Sequence, residues 1–291
     1  MSLALRRGVL LLVFGGALSA CTSPGVSLPF SEPAAAVVDG HNISMKAYQG
    51  RLEVSRHRDP FAGIKEAIPS PAPSQRLEAF TIEQLLREEI VREEAEKRSV
   101  SVSDKTVQSR IDALKTQAGA TSFNATLTRN GFTSDSFRSY ERALLTEVAL
   151  LDAMAKDRAD SAAAQLKSGD TFAAVVTRWS DDSGTVARGG DAGWLRPADI
   201  PEPALASAVQ SLAPGGVTGI VRTNRGYSIA TVLERRGDQV HLGAILVLAP
   251  AVDLYSPQGT PAWFTTFIDD RDAALRRAGR IELKVGSSAS G

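Results

Sequence analysis

Apolar residues recur at helical spacing through the middle of the chain. Between residues 74 and 158 four stripes of apolar side chains alternate with charged faces, and Ser103 and Thr133 stand at positions typical of helix N-caps. An isolated helix cannot hide such a stripe from water, so the helices must pack on one another. The pattern therefore predicts a helical domain, which we place at residues 36–158.

The residues before these helices have a different pattern. Val37 and Val38 predict a short strand, Asp39-Gly40 is a dipeptide that favours a tight turn, and Ser44 suits the N-cap of a first helix. The segment 59–75 contains four prolines, which exclude a continuous helix and predict an exposed loop.

Beyond residue 158 the elements become shorter. The helix that starts at Thr133-Ser134 leads without a break towards Ala162, and the next breaker is Ser168-Gly169. The elements expected here are helices at 162–166, 172–179 and 203–212, and strands at 189–195, 217–221 and 227–233. A small antiparallel sheet with helices on one face is an α+β arrangement, which is the fold class we predict.

The first residues are typical of a secretory signal. Arg6 and Arg7 precede an apolar run at 8–18 that is too short for a stable membrane span, and small residues lead to Cys21. Residues 18–21 resemble the lipobox of bacterial lipoproteins, in which the cysteine is acylated. The alternative is a chance cysteine near an ordinary cleavage site. We predict a signal peptide at 1–21, lipidation of Cys21 and a flexible tether at 22–35.

Charge and motifs exclude several classes of function. Lys plus Arg equals Asp plus Glu at 33 each, so the chain lacks the basic surface of a nucleic-acid-binding protein. No Gly-x-Ser-x-Gly motif, phosphate-binding loop or metal-spaced His and Cys cluster is present, and we expect neither a metal nor another cofactor. Ser180-Asp181-Asp182 is acidic enough to suggest a cation site, but a solvated loop is the more common case.

Five ordered blocks resemble the parvulin-type (PpiC-like) peptidyl-prolyl isomerases. They are residues 166–172, 179–182, 189–194, 212–217 and 223–227. The flanking regions resemble the chaperone domain of SurA-like and PrsA-like foldases, in which the tail folds back on the N-terminal domain. The resemblance implies a chaperone domain at 36–158, a parvulin-like domain at 159–248, and a C-terminal helix and strand at 249–291.

The resemblance also implies where the isomerase chemistry would take place. Catalysis requires tighter binding of the twisted X-Pro amide than of its planar forms, in a dry apolar pocket with polar groups near the carbonyl. Asp182 matches the position of the family's cysteine or aspartate, and Ser228 replaces a histidine. For the substrate we expect contacts from the residues near the family's pocket, which are Ile200, Ala204, Trp194 and Tyr227.

The block at 189–194 has a structural interpretation. Gly189, Gly190 and Gly193 permit backbone angles and close approaches that a side chain would forbid. Asp191 can accept hydrogen bonds from nearby amides and hold the turn.

One strand of the family domain is missing from its usual place before residue 162. Residues 240–247 resemble it and follow the strand at 227–233 through a short turn at 236–238. We therefore hypothesise a permuted strand that fills the vacant position in the sheet. In that case His241 would point to the face opposite Ala244. The alternative is that 239–248 is only a linker strand.

Three functions are compatible with these residues. The first is an extracytoplasmic folding factor with weak isomerase activity, the second a non-catalytic holdase chaperone, and the third a structural envelope-assembly lipoprotein. The expected partners are unfolded exported polypeptides that contain proline, together with a membrane reached through Cys21, in the periplasm or on the outer face of the cell membrane. We expect no nucleic acid among the partners.

Overall fold

The computed structural model describes residues 32–57, 76–256 and 259–285. The signal segment, Cys21, most of the tether and the proline-rich loop lie outside the described residues. From Pro33 onward the described residues form one unit.

The unit begins with a β-hairpin. Strands β1 (Ala34–Val38) and β2 (His41–Ser44) pair antiparallel around a two-residue turn. Asp39 and Gly40 both have positive φ, 49° and 89°, as this type of hairpin turn requires. The Ser44 side chain accepts a hydrogen bond from the Ala47 amide and caps the first helix, as the sequence predicts.

Five helices follow. They are α1 (Met45–His57), α2 (Leu77–Lys97), α3 (Asp104–Ala118), α4 (Ala120–Arg129) and α5 (Ser134–Ser168). The predicted caps are confirmed, since Ser103 accepts from the Thr106 amide and Thr133 accepts from the Ser136 amide.

Helix α5 is one continuous element of 35 residues. The separate helix expected at 162–166 is therefore wrong, and those residues form the last turns of α5. The physical reason is the absence of a helix breaker before Gly169, which ends the helix in the left-handed conformation with φ 101°. The domain boundary after residue 158, which stays a prediction, falls inside this helix.

The second half contains a four-stranded sheet and three helices. Its elements are α6 (Phe172–Trp179), β3 (Asp191–Leu195), α7 (Pro203–Gln210), β4 (Val221–Thr223), β5 (Gly226–Arg236), β6 (Gln239–Leu248) and α8 (Ala262–Arg277). The strands are all antiparallel in the order β3-β6-β5-β4. Helices and small antiparallel sheets together confirm the α+β class.

The strand expected at 217–221 differs in the structure. Val217 makes only an isolated bridge to Thr231, and the regular strand begins at Val221. The side chain of Thr218 explains why the strand is interrupted before Val221. Its hydroxyl accepts a hydrogen bond from the Ala230 amide in place of a backbone carbonyl.

Strand β6 occupies the middle of the sheet. It pairs with β5 along almost its whole length and with β3 on its other edge. The hairpin expected between 227–233 and 240–247 is confirmed, and the linker-strand alternative is wrong. Strand β6 thus lies between β3 and β5.

The last strand, β7 (Ile281–Leu283), pairs with β1, so the first sheet has the order β2-β1-β7. The largest apolar core joins β1, α2, the middle of α5 and α8. Two smaller cores lie on the two faces of the four-stranded sheet. Within the described residues, no helix combines the length and the apolar content that a membrane span needs.

Candidate functional site

The two faces of the four-stranded sheet have different neighbours. Ile229 and Ile245 pack against α5 and α6, whereas Ala230 and Val232 pack against α7. Because side chains alternate along a strand, Ser228 lies on the α7 face. This is the face on which the resemblance places a proline site.

Ile200 is packed on that face and does not line an open hollow. Its side chain is 7% exposed and belongs to an apolar cluster with Leu205 and Val209 of α7 and with the sheet. Ala204 lies one position before Leu205 and is exposed to solvent. Of the two positions expected to hold a proline ring, Ile200 is therefore packed in a core, and Ala204 lies outside the core.

Ser228 is buried in the sheet. It is 5% exposed, and its backbone lies between Val221 of β4 and Leu246 of β6. Its hydroxyl faces the side of the sheet covered by α7.

Asp182 lies in a loop on the far side of β6. One carboxylate oxygen accepts from the Thr185 hydroxyl at 2.8 Å and the other from the Gly184 amide at 3.3 Å, so the side chain caps the following turn. The Asp181 amide donates to the Leu246 carbonyl, which places this loop along the free edge of β6. Two strand spacings, about 10 Å, therefore separate it from Ser228. The backbones of the two candidate catalytic residues thus lie on opposite sides of β6.

Trp194 and Tyr227 lie on the other face of the sheet. Trp194 stacks on His241 with ring centroids 5.1 Å apart, and the Arg236 guanidinium lies 4.4 Å from its ring. The Tyr227 hydroxyl donates to Asp152 of α5 at 3.0 Å, and burial together with this carboxylate raises the pKa of Tyr227 to about 12. Neither residue shares a surface with Ile200.

The glycine block forms the turn into β3. Gly189, Gly190 and Gly193 have positive φ values of 64°, 89° and 82°. A Cβ on Gly190 would come within 2.8 Å of the Ala244 carbonyl oxygen, so the turn needs glycine at this close approach. Asp191 accepts from the Gly193 amide at 2.7 Å and lies 2.8 Å from His241 Nε2, and these contacts lower the pKa of Asp191.

Sequence reasoning missed the role of Asp181. Its Oδ2 accepts from the Leu248 amide at 2.8 Å and from the Trp263 indole at 3.0 Å. Burial raises the pKa of this carboxyl, although the two donors and the Arg158 charge act in the opposite direction. The only signal in the sequence was that Asp181 is next to Asp182. The Asp182 side chain is half-buried and has different partners.

Sequence reasoning also missed a large groove in the helical region. Its volume is about 990 Å³, at the upper end of the range for ligand sites, and it is lined by β2, α1, α2, the turn at 131–133 and the start of α5. Three separate stretches of the chain contribute, at 42–54, 85–92 and 131–146, so no local motif could have revealed it.

The groove combines apolar patches with charged side chains, some of which form ion pairs. Ile43, Val54 and Leu85 supply apolar surface. Arg51 donates to both carboxylate oxygens of Glu88, at 2.5 and 3.1 Å. In this pair the two charges neutralise each other beside the apolar surface.

Among the residues that the structure describes, no group of three or more His, Cys, Asp and Glu side chains is placed to hold a metal ion.

Two protein-family models match the chain. A SurA-like N-terminal domain matches residues 6–150, and a PPIC-type PPIASE domain matches residues 145–234. The two matches meet within α5 and extend over the helical region and most of the four-stranded sheet.

Similar proteins bear chaperone names. The chain is 41% identical over 80 residues to the chaperone SurA of Aromatoleum aromaticum, covering 28% of this chain and 18% of that protein. It is 36% identical over 76 residues to the chaperone SurA of Chromohalobacter salexigens, covering 26% and 17%. The matched segments thus span about a fifth of the length of these relatives. A crystal structure of the peptidylprolyl isomerase PrsA from Bacillus anthracis is 16% identical, covering 71% of this chain and 99% of that chain, with a TM-score of 0.24.

Proposed function

Because a SurA-like N-terminal domain and a PPIC-type PPIASE domain match the chain side by side, we propose that it is an extracytoplasmic folding factor. It binds unfolded exported polypeptides through the groove of its helical region. Its parvulin-type module has weak or no isomerase activity.

One observation carries this proposal, namely the contrast between the two regions. The positions that resemble a proline site are packed or separated, since Ile200 is buried in a core and the backbone of the Asp182 loop lies on the other side of β6 from Ser228. The groove, by contrast, is large and partly apolar.

The chemistry of isomerisation explains why the module is expected to be a poor catalyst. A twisted amide is stabilised when a dry pocket holds the proline ring and donors reach the carbonyl oxygen. Ser228 supplies one hydroxyl on the α7 face, but Ile200 occupies the apolar space beside the sheet. Binding of the ring would require this side chain to move out of its cluster.

The groove suits an extended polypeptide. Its lining on α5 runs from Asp135 to Thr146, about 16 Å of helix, which matches about five residues of extended chain. Asn42, Gln49 and Ser139 add neutral polar groups that can bond to a peptide backbone whatever its side chains. An unfolded segment offers both apolar side chains and free backbone groups.

The signal segment predicted at residues 1–21 supports an extracytoplasmic location. We propose that Cys21 carries a lipid that anchors the chain outside the cytoplasm, where exported polypeptides arrive unfolded. Mass spectrometry of the membrane fraction, compared with a Cys21→Ser variant, tests this directly.

Gly50 provides a sharp test of the groove. It lines the groove on α1, and a Cβ at this position would meet no atom within 4 Å, so a larger side chain fits without a clash. Gly50→Phe should fill the groove and weaken binding of a fluorescent unfolded peptide at least tenfold, whereas Gly50→Ala serves as the matched control and should bind normally. Equal binding by both variants and the natural protein would contradict the proposed client site.

A protease-coupled proline assay tests the module. We expect a rate close to that of the uncatalysed reaction and no further loss in Asp182→Ala or Ser228→Ala. Strong catalysis that disappears in either variant would show instead that the protein acts mainly as an isomerase.

A further inference from the structure

The loop that carries Asp182 is held by the C-terminal helix. We call residues 180–185 the Asp181 loop. Trp263, in the first turn of α8, donates its indole N–H to Asp181 Oδ2 at 3.0 Å. The same oxygen accepts the Leu248 amide at 2.8 Å, so a single acceptor joins the loop, the end of β6 and α8.

Arg158 of α5 completes this junction. Its guanidinium lies 4.6 Å from the Trp263 ring and 5.1 Å from the Trp179 ring, between the last residue of α6 and the first turn of α8. Its Nε is buried and, among the described residues, has no hydrogen-bond partner. The arginine therefore acts here through its planar face, as a layer between two aromatic rings.

Helix α8 is itself fixed to the helical region. Arg271 lies 3.0 Å from Glu94, and Arg276 donates to Glu83 at 2.6 Å, both on α2. On its inner face Phe264 and Ile268 are almost fully buried in the largest core. Trp263 therefore lies on a helix that is fixed in place, whereas its partner Asp181 lies in a loop.

We propose that α8 controls the order of the Asp181 loop, and with it the edge of the sheet on which Asp182 lies. With Trp263 bonded to Asp181, the loop is held along β6. When this bond is lost, only the loop's own hydrogen bonds to Leu246 and Leu248 of β6 hold it at that edge, so it opens more often. This inference concerns the parvulin-type module and does not depend on whether the groove binds clients.

Amide hydrogen exchange in the full-length protein tests the inference. The informative amides are those of Asp181, which donates to the Leu246 carbonyl, and of Leu246, which donates to the Ser180 hydroxyl. Trp263→Phe keeps an aromatic ring but removes the N–H donor. We expect it to speed exchange at both amides about three- to tenfold, the effect of one net hydrogen bond. Trp194→Phe removes an indole N–H elsewhere and should leave both amides unchanged.

A second variant separates a specific contact from general loosening. Asp181→Ala removes the shared acceptor, and the double variant with Trp263→Phe should exchange no faster at Leu246 than the faster single variant, because both remove the same contact. Unchanged exchange in Trp263→Phe would overturn the inference. Additive effects in the double variant, or an equal increase throughout the protein, would also overturn it, since Trp263 would then be only a core residue.

Discussion

Truncation of Ile200 distinguishes a packed core from a proline pocket. The side chain is 7% exposed and packs against Leu205, Val209 and Val232. Removal of three carbon atoms from such a site loses their transfer free energy and leaves a cavity, so Ile200→Ala should lower the free energy of unfolding by about 2–5 kcal/mol. Ile200→Val removes one methylene and should cost only about 0.5–1.5 kcal/mol.

Urea unfolding provides the measurement, with the midpoint and slope recorded for each variant. Val217→Ala is the matched control, because this apolar residue of the same module is 43% exposed and its truncation should cost well under about 1 kcal/mol. An unchanged midpoint for Ile200→Ala, combined with weaker binding of a proline peptide, would show that the residue lines an open pocket and would refute the reasoning.

Three further predictions follow from single contacts. Gly226→Ala places a Cβ 2.1 Å from the Val247 carbonyl oxygen at φ 145° and should cost about 3 kcal/mol or more in urea unfolding, whereas Gly237→Ala, at φ 63° in open space, should cost only about 1–2 kcal/mol; equal costs would contradict the tight pairing of β5 and β6. Burial raises the pKa of Asp181 above its ordinary 3.8, so the folded state holds this proton more tightly and the stabilising contribution is lost as pH rises through the raised value. Asp181→Asn should therefore reduce the fall in urea midpoint between about pH 4 and pH 7. A midpoint that falls with pH as steeply as in the natural protein would contradict this prediction. Gly50→Ala should raise the free energy of unfolding by about 0.5–1 kcal/mol through helix propensity, and a lower free energy of unfolding would show that the groove wall is packed.

Local structure was predictable wherever one residue type satisfies one geometric need. The turn at Asp39-Gly40 requires positive φ at both positions, and Ser103 and Thr133 supply the acceptors that free helix amides need. These rules act over three or four residues, so the sequence contains all the information.

The strand order was harder to predict because it depends on contacts between distant segments. The hairpin of β5 and β6 follows from a two-residue turn, but the pairing of β6 with β3 joins residues about fifty positions apart. The break at Thr218 depends on a side chain that meets the Ala230 amide only after folding. Family likeness suggested a vacant position for β6, and periodicity alone did not.

The candidate site shows a similar limit. Positions matched to a family indicate which residues stand where a pocket would be, but they do not indicate whether that space is filled. Ile200 is apolar both in a pocket and in a core, and only its 7% exposure distinguishes the two. Asp181 and Asp182 are neighbours with the same side chain, and the backbone turns one towards Trp263 and the other towards Thr185.

The long helix α5 gives these observations a common basis. Its first turns line the groove, Arg158 contacts the Asp181 junction, and Ala162 packs beneath the four-stranded sheet. Domains joined by a flexible linker move relative to one another by default, but here the connection is a single uninterrupted helix with no glycine or proline between residues 134 and 168. Motion of the sheet as a rigid body would have to bend that helix, whereas motion of the Asp181 loop breaks only the Trp263 bond and the loop's few hydrogen bonds to β6. If α8 controls the loop as we propose, the module can respond at this edge of the sheet while the helical region stays fixed.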